Sequence, residues 1–352
     1  MSATNVLPSP GLSLPERVAS QSQRKPWIIS QKDDLTWFIG SGLVSYATLA
    51  CLMLGAPVLP FQLFWLFCVD GPHVLSTVTR TYCDRAERAK LGGFLWIPLP
   101  LMLIGPAMTL AGYFSLFMLL AVCWQHFHIV KQHFGFMMIY KAKVGDRGAR
   151  DFWLDRYFLL ASLFVPLGIF VLRTRFALTG FLAWLPGIAI AMYAVLAAAW
   201  LLRQAQKKRA GEQMNWPKLG LLATVVPLQW LALLHASNFG PDGIIRAGIT
   251  LGMFHSFQYH RLMWFHNKNR YRTPGAQERN GLAARLVPNV AFYAGLVIAL
   301  HFLLSFLPQA LAGNHPLMVS AIWGIAFTHY LFDARIWHIR SDKELAVALK
   351  MA

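Results

Sequence analysis

The feature that most constrains the fold is a series of long apolar stretches, which begins near Trp37 and continues almost to the C-terminus. Each is about 20 residues long, the length that an α-helix needs to cross the hydrocarbon core of a bilayer. Hydrophobic residues make up 56% of the chain and charged residues only 13%, a balance too apolar for an ordinary soluble fold. The sequence therefore predicts an all-α, polytopic integral membrane protein with about ten transmembrane helices.

The predicted helices form a single transmembrane domain over residues 35–340. A polar segment rich in Pro, Ser and Gln precedes it, and we expect residues 1–34 to be a flexible cytoplasmic arm. Residues 341–352 are expected to be a short cytoplasmic tail. The predicted spans are 36–55, 58–79, 94–112, 114–135, 157–172, 180–202, 219–236, 244–266, 288–307 and 317–338.

The basic residues predict the orientation of these helices. The formal net charge is +17, which in a soluble protein would point to nucleic acid as a partner. With the N-terminus in the cytoplasm, however, 29 of the 32 Lys and Arg residues fall in cytoplasmic segments, and only Arg173, Arg175 and Arg246 lie on the other side. This segregation obeys the positive-inside rule. It indicates an even number of spans, both termini inside, location in the cell membrane (the inner membrane of a bacterium), and no nucleic-acid partner.

Twelve histidines are unusual in so apolar a chain, and nine of them fall toward the basic side of the predicted helices. We counted the residues from each histidine to the next basic residue along its helix. At about 1.5 Å per helical residue, one group of histidines lies roughly 8–12 Å from the basic ends of the helices. Convergence on one depth from four helices indicates a shared metal site. The predicted ligands are His73, His126, His133, His255, His260 and His329.

Helical spacing refines this set. His126 and His133 are seven residues apart and share a face, whereas His128 points elsewhere on a regular helix. Polar neighbours of the ligands, Asp70, Asp333 and Gln132, are candidates to orient the metal-bound rings. Tyr259 and Gln258 are candidate catalytic residues that would orient a bound oxygen species.

Each histidine also has a simpler interpretation. A lone histidine in a membrane helix is usually a hydrogen-bonded packing residue, and this is our interpretation of His301 and His338. His266 lies at the predicted water boundary, and His315 lies in a loop. Only the convergence of the larger group favours a metal.

The ligand types limit the chemistry of such a site. The four cysteines form no CxxC pair, so imidazoles without thiolates are the expected ligands, and these suit Fe, Zn, Cu or Ni. The chain has no HExxH motif, which argues against a zinc peptidase. Neutral imidazoles that leave positions open suit Fe²⁺ and O2 beside a hydrophobic substrate from the bilayer, and an electron donor is a further candidate partner.

Four short motifs resemble a known family. DGPH at 70–73, QHFG at 132–135, FHSFQYH at 254–260 and THY at 328–330 are similar, in order and helix context, to the histidine blocks of the Brp/Blh family of bacterial membrane carotene dioxygenases. The resemblance implies an iron-dependent membrane oxygenase that cleaves the central double bond of β-carotene to give two molecules of retinal. It also implies that His73, His133, His255 and His329 are iron ligands.

The chain departs from the family pattern at several positions. Val74 stands where the family has Gly after the first histidine, and Tyr259 stands four residues after His255, where the family has His, with His260 one position later. The match covers about 30 residues. Hydroxylation or desaturation of a lipid is therefore an alternative reaction. A haem-binding electron-transfer protein and a metal- or proton-coupled transporter are alternatives of other classes.

Overall fold

A computed structural model describes residues 26–313, 315–339 and 341–351 of the chain. These residues form helices joined by turns, and none of them lies in a strand. Ten long helical segments follow one another, and we number them in chain order. They are α1 (Gln31–Met53), α2 (Val58–Thr81), α3 (Arg85–Leu110), α4 (Phe114–Lys143), α5 (Ala149–Arg175), α6 (Gly180–Arg209), α7 (Trp216–Gly240), α8 (Gly243–Tyr271), α9 (Val290–Ala312) and α10 (Pro316–Ile336).

Within the described ranges, nine of these helices are long and apolar enough to span a membrane, all except α8. This confirms the predicted all-α polytopic membrane fold. The exception has a physical reason. Helix α8 carries His255, Gln258, Tyr259 and His260, and most of its residues are buried against other helices. A helix shielded from lipid by its neighbours can carry polar side chains that would be unfavourable in contact with hydrocarbon.

Residues 26–34 and 341–351, in the two terminal segments, are more ordered than the sequence indicates. Residues 1–25 of the predicted arm lie outside the described residues. The rest of that segment packs onto the bundle, because Ile28 is buried and Asp34 accepts hydrogen bonds from the backbone N–H groups of Ile28 and Ile29. At the other end, the predicted tail contains a short helix, Lys343–Ala348, whose Leu345 is buried.

The segments predicted to share the basic side do meet at one end of the bundle. Lys143 donates to the backbone of Lys350, Asn269 donates to Ala348, and Arg270 pairs with Asp84. These contacts join the ends of α4 and α8 to the C-terminal segment, and α8 to the turn between α2 and α3. The alternation of basic and non-basic ends is thus a property of the fold, while the assignment of the basic end to the cytoplasm remains a prediction.

Helices α2, α8, α4 and α10 contact one another in that cyclic order. Helix α10 is additionally fixed by close packing on α3, where Gly324 and Gly105 allow the two backbones to approach. A Cβ added at Gly324 would lie 2.5 Å from the Met102 Cα, and one at Gly105 would lie 2.4 Å from the Ser320 carbonyl oxygen. Small residues of this kind let membrane helices pack without side chains between them. The cyclic arrangement places four histidine-bearing helices around a common axis.

Candidate metal centre

Each of these four helices contributes one buried histidine to a single cluster. They are His73 from α2, His128 from α4, His255 from α8 and His329 from α10. His73 follows a wide π-helical turn, Trp65–Asp70. Pro72 accounts for that turn, since its ring has no N–H for the carbonyl four residues earlier and sterically clashes with it. All four imidazoles are at most 8% exposed.

The four rings form a nearly square arrangement. Consecutive ring centroids are separated by 4.7 Å (His73 to His255), 5.0 Å (His255 to His128), 4.9 Å (His128 to His329) and 4.5 Å (His329 to His73). The diagonal from His73 to His128 is 6.3 Å. Neighbouring rings are steeply inclined to each other, at 70–81°. The imidazoles therefore surround one small central volume and do not stack on each other.

The spacing of the ring centroids is close to that of four imidazoles around one ion, whereas the donor atoms that lie within 4.8 Å of one another form two overlapping groups of three, His73, His128 and His255, and His128, His329 and Asp333. At a metal–nitrogen distance of about 2.1 Å, a bound imidazole has its centroid about 3.2 Å from the ion. Four such rings in a square would have neighbours about 4.5 Å apart and diagonals of about 6.4 Å, whereas in a tetrahedron every pair would be about 5.2 Å apart. The measured distances lie close to the square. The Nε2 atoms of His73 and His255 are 3.2 Å apart, a separation that two nitrogens on one ion would also have.

The hydrogen bonding of the rings also favours a ligand. Within the part of the chain that the structure describes, the buried His128 Nε2 and His329 Nε2 have no hydrogen-bond partner, and neither do the Nδ1 atoms of His73 and His255. Leaving a buried polar atom unpaired costs about 1–3 kcal/mol. A metal bound to the Nε2 atoms would use the unpaired nitrogens of His128 and His329. Two groups of donor atoms could hold a metal ion: His73, His128 and His255, or His128, His329 and Asp333.

Three polar side chains adjoin the cluster. Thr77 Oγ1 lies 2.6 Å from His329 Nδ1, which leaves Nε2 of that ring as the nitrogen available to a metal. Asp333 Oδ2 lies 3.6 Å from the same Nε2, and Asp333 Oδ1 accepts a hydrogen bond of 2.9 Å from the Tyr259 hydroxyl. The Tyr259 ring packs edge-on against His73, with centroids 4.2 Å apart. Asp333 is thus placed as a candidate ligand, and Thr77 takes the ring-orienting role predicted for Asp333.

The structure does not bring three of the predicted ligands into the cluster. His126 Nε2 lies 3.0 Å from the Leu163 carbonyl oxygen, so that ring faces α5. His133 packs against Phe254, and His260 Nε2 lies 2.8 Å from the Val69 carbonyl oxygen, at the border of the cluster. The reason is helix rotation: the face of α4 that carries His126 and His133 is turned away from α2 and α10, and the face with His128 is turned toward them.

The remaining predicted site residues support the helices and do not line the cluster. Asp70 accepts a hydrogen bond from Ser256, and in the described residues no histidine ring bonds to it. Gln132 donates to the His255 carbonyl oxygen and to Gln258, and Gln258 donates to the Phe38 carbonyl oxygen. These bonds tie α8 to α4 and α1. Gln258 is thus engaged with the backbone, which leaves Tyr259 as the predicted catalytic residue that lies at the cluster.

Sequence reasoning missed His128 and the role of Thr77. One signal could have indicated His128, because it lies four residues before Gln132 and therefore on the same helix face. Because Gln132 is a predicted neighbour of the site, its position on this face also places His128 near the site. The stacking of His128 on Tyr330, with centroids 4.5 Å apart, had no such signal, because it depends on how α4 and α10 are rotated.

Comparisons with protein families, with curated proteins and with solved structures found no match to this chain. The functional argument therefore depends on the geometry of the cluster and on its setting in the membrane.

Proposed function

We propose that this protein is a membrane-embedded non-haem iron oxygenase that uses O2 to oxidise a hydrophobic, lipid-like substrate. The observation that carries the proposal is the square of four buried imidazoles with a carboxylate beside it, inside a helical bundle of the bilayer. The group of His128, His329 and Asp333 supplies two imidazoles and one carboxylate, the donor set typical of non-haem Fe(II) oxygenases.

The arrangement of the rings favours a bare metal over haem. Two axial histidines on one haem would have centroids about 6.4 Å apart, estimated from the same bond length, and His73 and His128 satisfy that distance. The porphyrin would then occupy the plane between them. His255 and His329 occupy that plane, since each lies within 5.0 Å of both rings.

The bound iron would supply the oxidising chemistry with O2, and the chain's own residues would position and shield it. Thr77 holds the His329 ring through Nδ1, while the Tyr259 hydroxyl fixes one oxygen of Asp333 and leaves the other directed toward His329. Burial of the rings excludes bulk water, which protects a reactive oxygen species from side reactions. Tyr259, whose ring packs on His73 and whose hydroxyl donates to Asp333, is the residue we assign to orient O2 or to donate a proton.

The resemblance to the Brp/Blh family extends this proposal to carotenoid cleavage. Splitting one C=C bond with O2 yields two carbonyl groups and consumes no external electrons. Hydroxylation or desaturation of a lipid would require two electrons from a donor protein. A requirement for added reductant therefore distinguishes the two reaction types.

The test begins with metal analysis of the detergent-purified protein and its optical spectrum. We expect about one iron per chain and no Soret band. O2 consumption is then measured with β-carotene, a sterol and a fatty-acyl lipid, with and without a reductant, for the wild type and for His329→Ala. Stoichiometric metal without O2 consumption on any of these substrates would refute the oxygenase, and substrate-independent metal or proton flux in proteoliposomes would favour the transporter.

A further inference from the structure

A second feature, separate from the histidine cluster, is a groove of about 930 Å³ at the basic end of the bundle. It lies between the start of α3, the end of α10 and the C-terminal helix. Its volume is in the range of small-molecule sites, about 300–1,000 Å³. Its apolar lining residues are Leu91, Phe94, Leu331, Ala334 and Ile336, and the rest of the lining is charged or polar.

The acidic side chains of the groove are already engaged. Lys90 Nζ lies 3.1 Å from Glu344, 3.2 Å from Asp342 and 3.4 Å from Glu87. Arg270 also pairs with Glu87 and Glu344. The hydrogen bond from Lys90 is the main reason that the pKa of Glu344 lies below its ordinary value. Each of these carboxylates is therefore already paired with an internal cation.

Two cations of the groove are not paired in this way. Arg335 and Lys343 are exposed and make no ion pair with any described carboxylate. The Arg335 guanidinium carbon lies 5.3 Å from the centre of the Phe94 ring, so it borders the apolar lining. The groove thus combines apolar lining residues with two cations that have no internal counter-ion.

The position of the groove identifies the class of ligand. Two of its apolar residues, Leu91 and Phe94, belong to the start of α3, and farther along the same helix Trp96 is 71% exposed and Leu103 is 67% exposed. On a membrane helix, an exposed face of this kind contacts lipid, and tryptophan marks the level of the headgroups. A ligand with an acyl chain can therefore reach the groove from the bilayer and place its headgroup at Arg335 and Lys343.

We propose that this groove is a binding site for an anionic phospholipid from the leaflet on the basic side. The phosphate binds between Arg335 and Lys343, and the proximal part of an acyl chain lies along Phe94 and Leu331. Lys and Arg side chains between membrane helices at this level are typical contacts of anionic headgroups. The occupied groove lies against the end of α10, the helix that carries two donors of the histidine cluster.

Native mass spectrometry of the full-length protein tests this, by titrating it with phosphatidylglycerol and with phosphatidylcholine. The test variant is Arg335→Gln with Lys343→Gln. The control is Lys208→Gln with Arg209→Gln, which removes two exposed cations from the same end of the bundle, at the end of α6. We expect the wild type to prefer the anionic lipid, and the test variant to lose about 30-fold of that preference, since each cation near a membrane surface contributes a factor of about five.

The control variant should keep the wild-type preference. Equal binding of the two lipids by the wild type would overturn the proposal, and so would an equal loss in the control. Inorganic phosphate, added as a competitor, separates the two sources of the anion: full displacement of lipid at millimolar phosphate would show a site for free phosphate. Metal content should be unchanged in both variants, so this proposal and the proposed oxygenase fail independently.

Discussion

Replacement of His128 by Ala should weaken metal binding strongly, while the same change at His126 or His133 should not. His126 and His133 are seven residues apart on α4, and His128 lies between them. All three are buried: the exposed fraction is 4% for His126, 8% for His128 and 1% for His133. Only His128 reaches the imidazole cluster. The three variants therefore test three different expectations. The structure makes His128 the ligand, the sequence pattern favours His126 and His133, and the family resemblance favours His133.

The expected effect can be estimated. Four-ligand metal sites in small proteins bind with about 10–16 kcal/mol, so an equal share is about 3–4 kcal/mol for each ligand. Loss of one ligand should thus weaken binding by about two to three orders of magnitude. The packing loss from removing a buried ring is on the order of 3–5 kcal/mol and should be similar in all three variants. Stability alone will therefore not distinguish them.

The assay is iron content after dialysis of each purified variant against a chelator of graded strength, with monodispersity checked by size-exclusion chromatography. His128→Ala should lose iron at chelator concentrations at least 100-fold below those that strip the other two variants. If His133→Ala loses iron and His128→Ala keeps it, the rotation of α4 described here is wrong. If all three keep iron, the cluster is not the metal site.

Three further predictions concern the surroundings of the cluster. Thr77→Val should lower metal affinity by about 10–100-fold with the fold intact, because it removes the partner of His329 Nδ1; a chelator titration measures this, and unchanged affinity would exclude the orienting role. Asp333→Asn should still bind metal through the imidazoles but should lose O2 consumption. Full activity in this variant would exclude a role of the carboxylate in the mechanism. Gly324→Ala should prevent α10 from packing and reduce the yield of folded protein, whereas Gly168→Ala, whose added Cβ meets no atom within 4 Å, should express normally.

The membrane fold could be predicted from local pattern alone. Apolar stretches of bilayer length and the segregation of 29 basic residues predicted the all-α membrane fold and the common basic end, because both signals depend on residues close together in the sequence. The apolar stretch 244–266 also predicted helix α8, although α8 is not among the nine described helices that are apolar enough to span a membrane.

The candidate site was only partly predictable. The structure brings together His73, His255 and His329, which residue counting along the helices places at one depth. It brings His128 of α4 to the same cluster and not the predicted His126 and His133, because depth says nothing about which side of α4 faces the neighbouring helices.

The sequence by itself determined that the chain crosses a membrane many times and concentrates its histidines near one side. The tertiary structure decided which of those histidines share a centre. The physical reason is that hydrophobicity and charge act on each helix separately, through its transfer into lipid. The rotation of a helix about its axis is set by close packing with its neighbours, as where Gly324 lets α10 pack on α3.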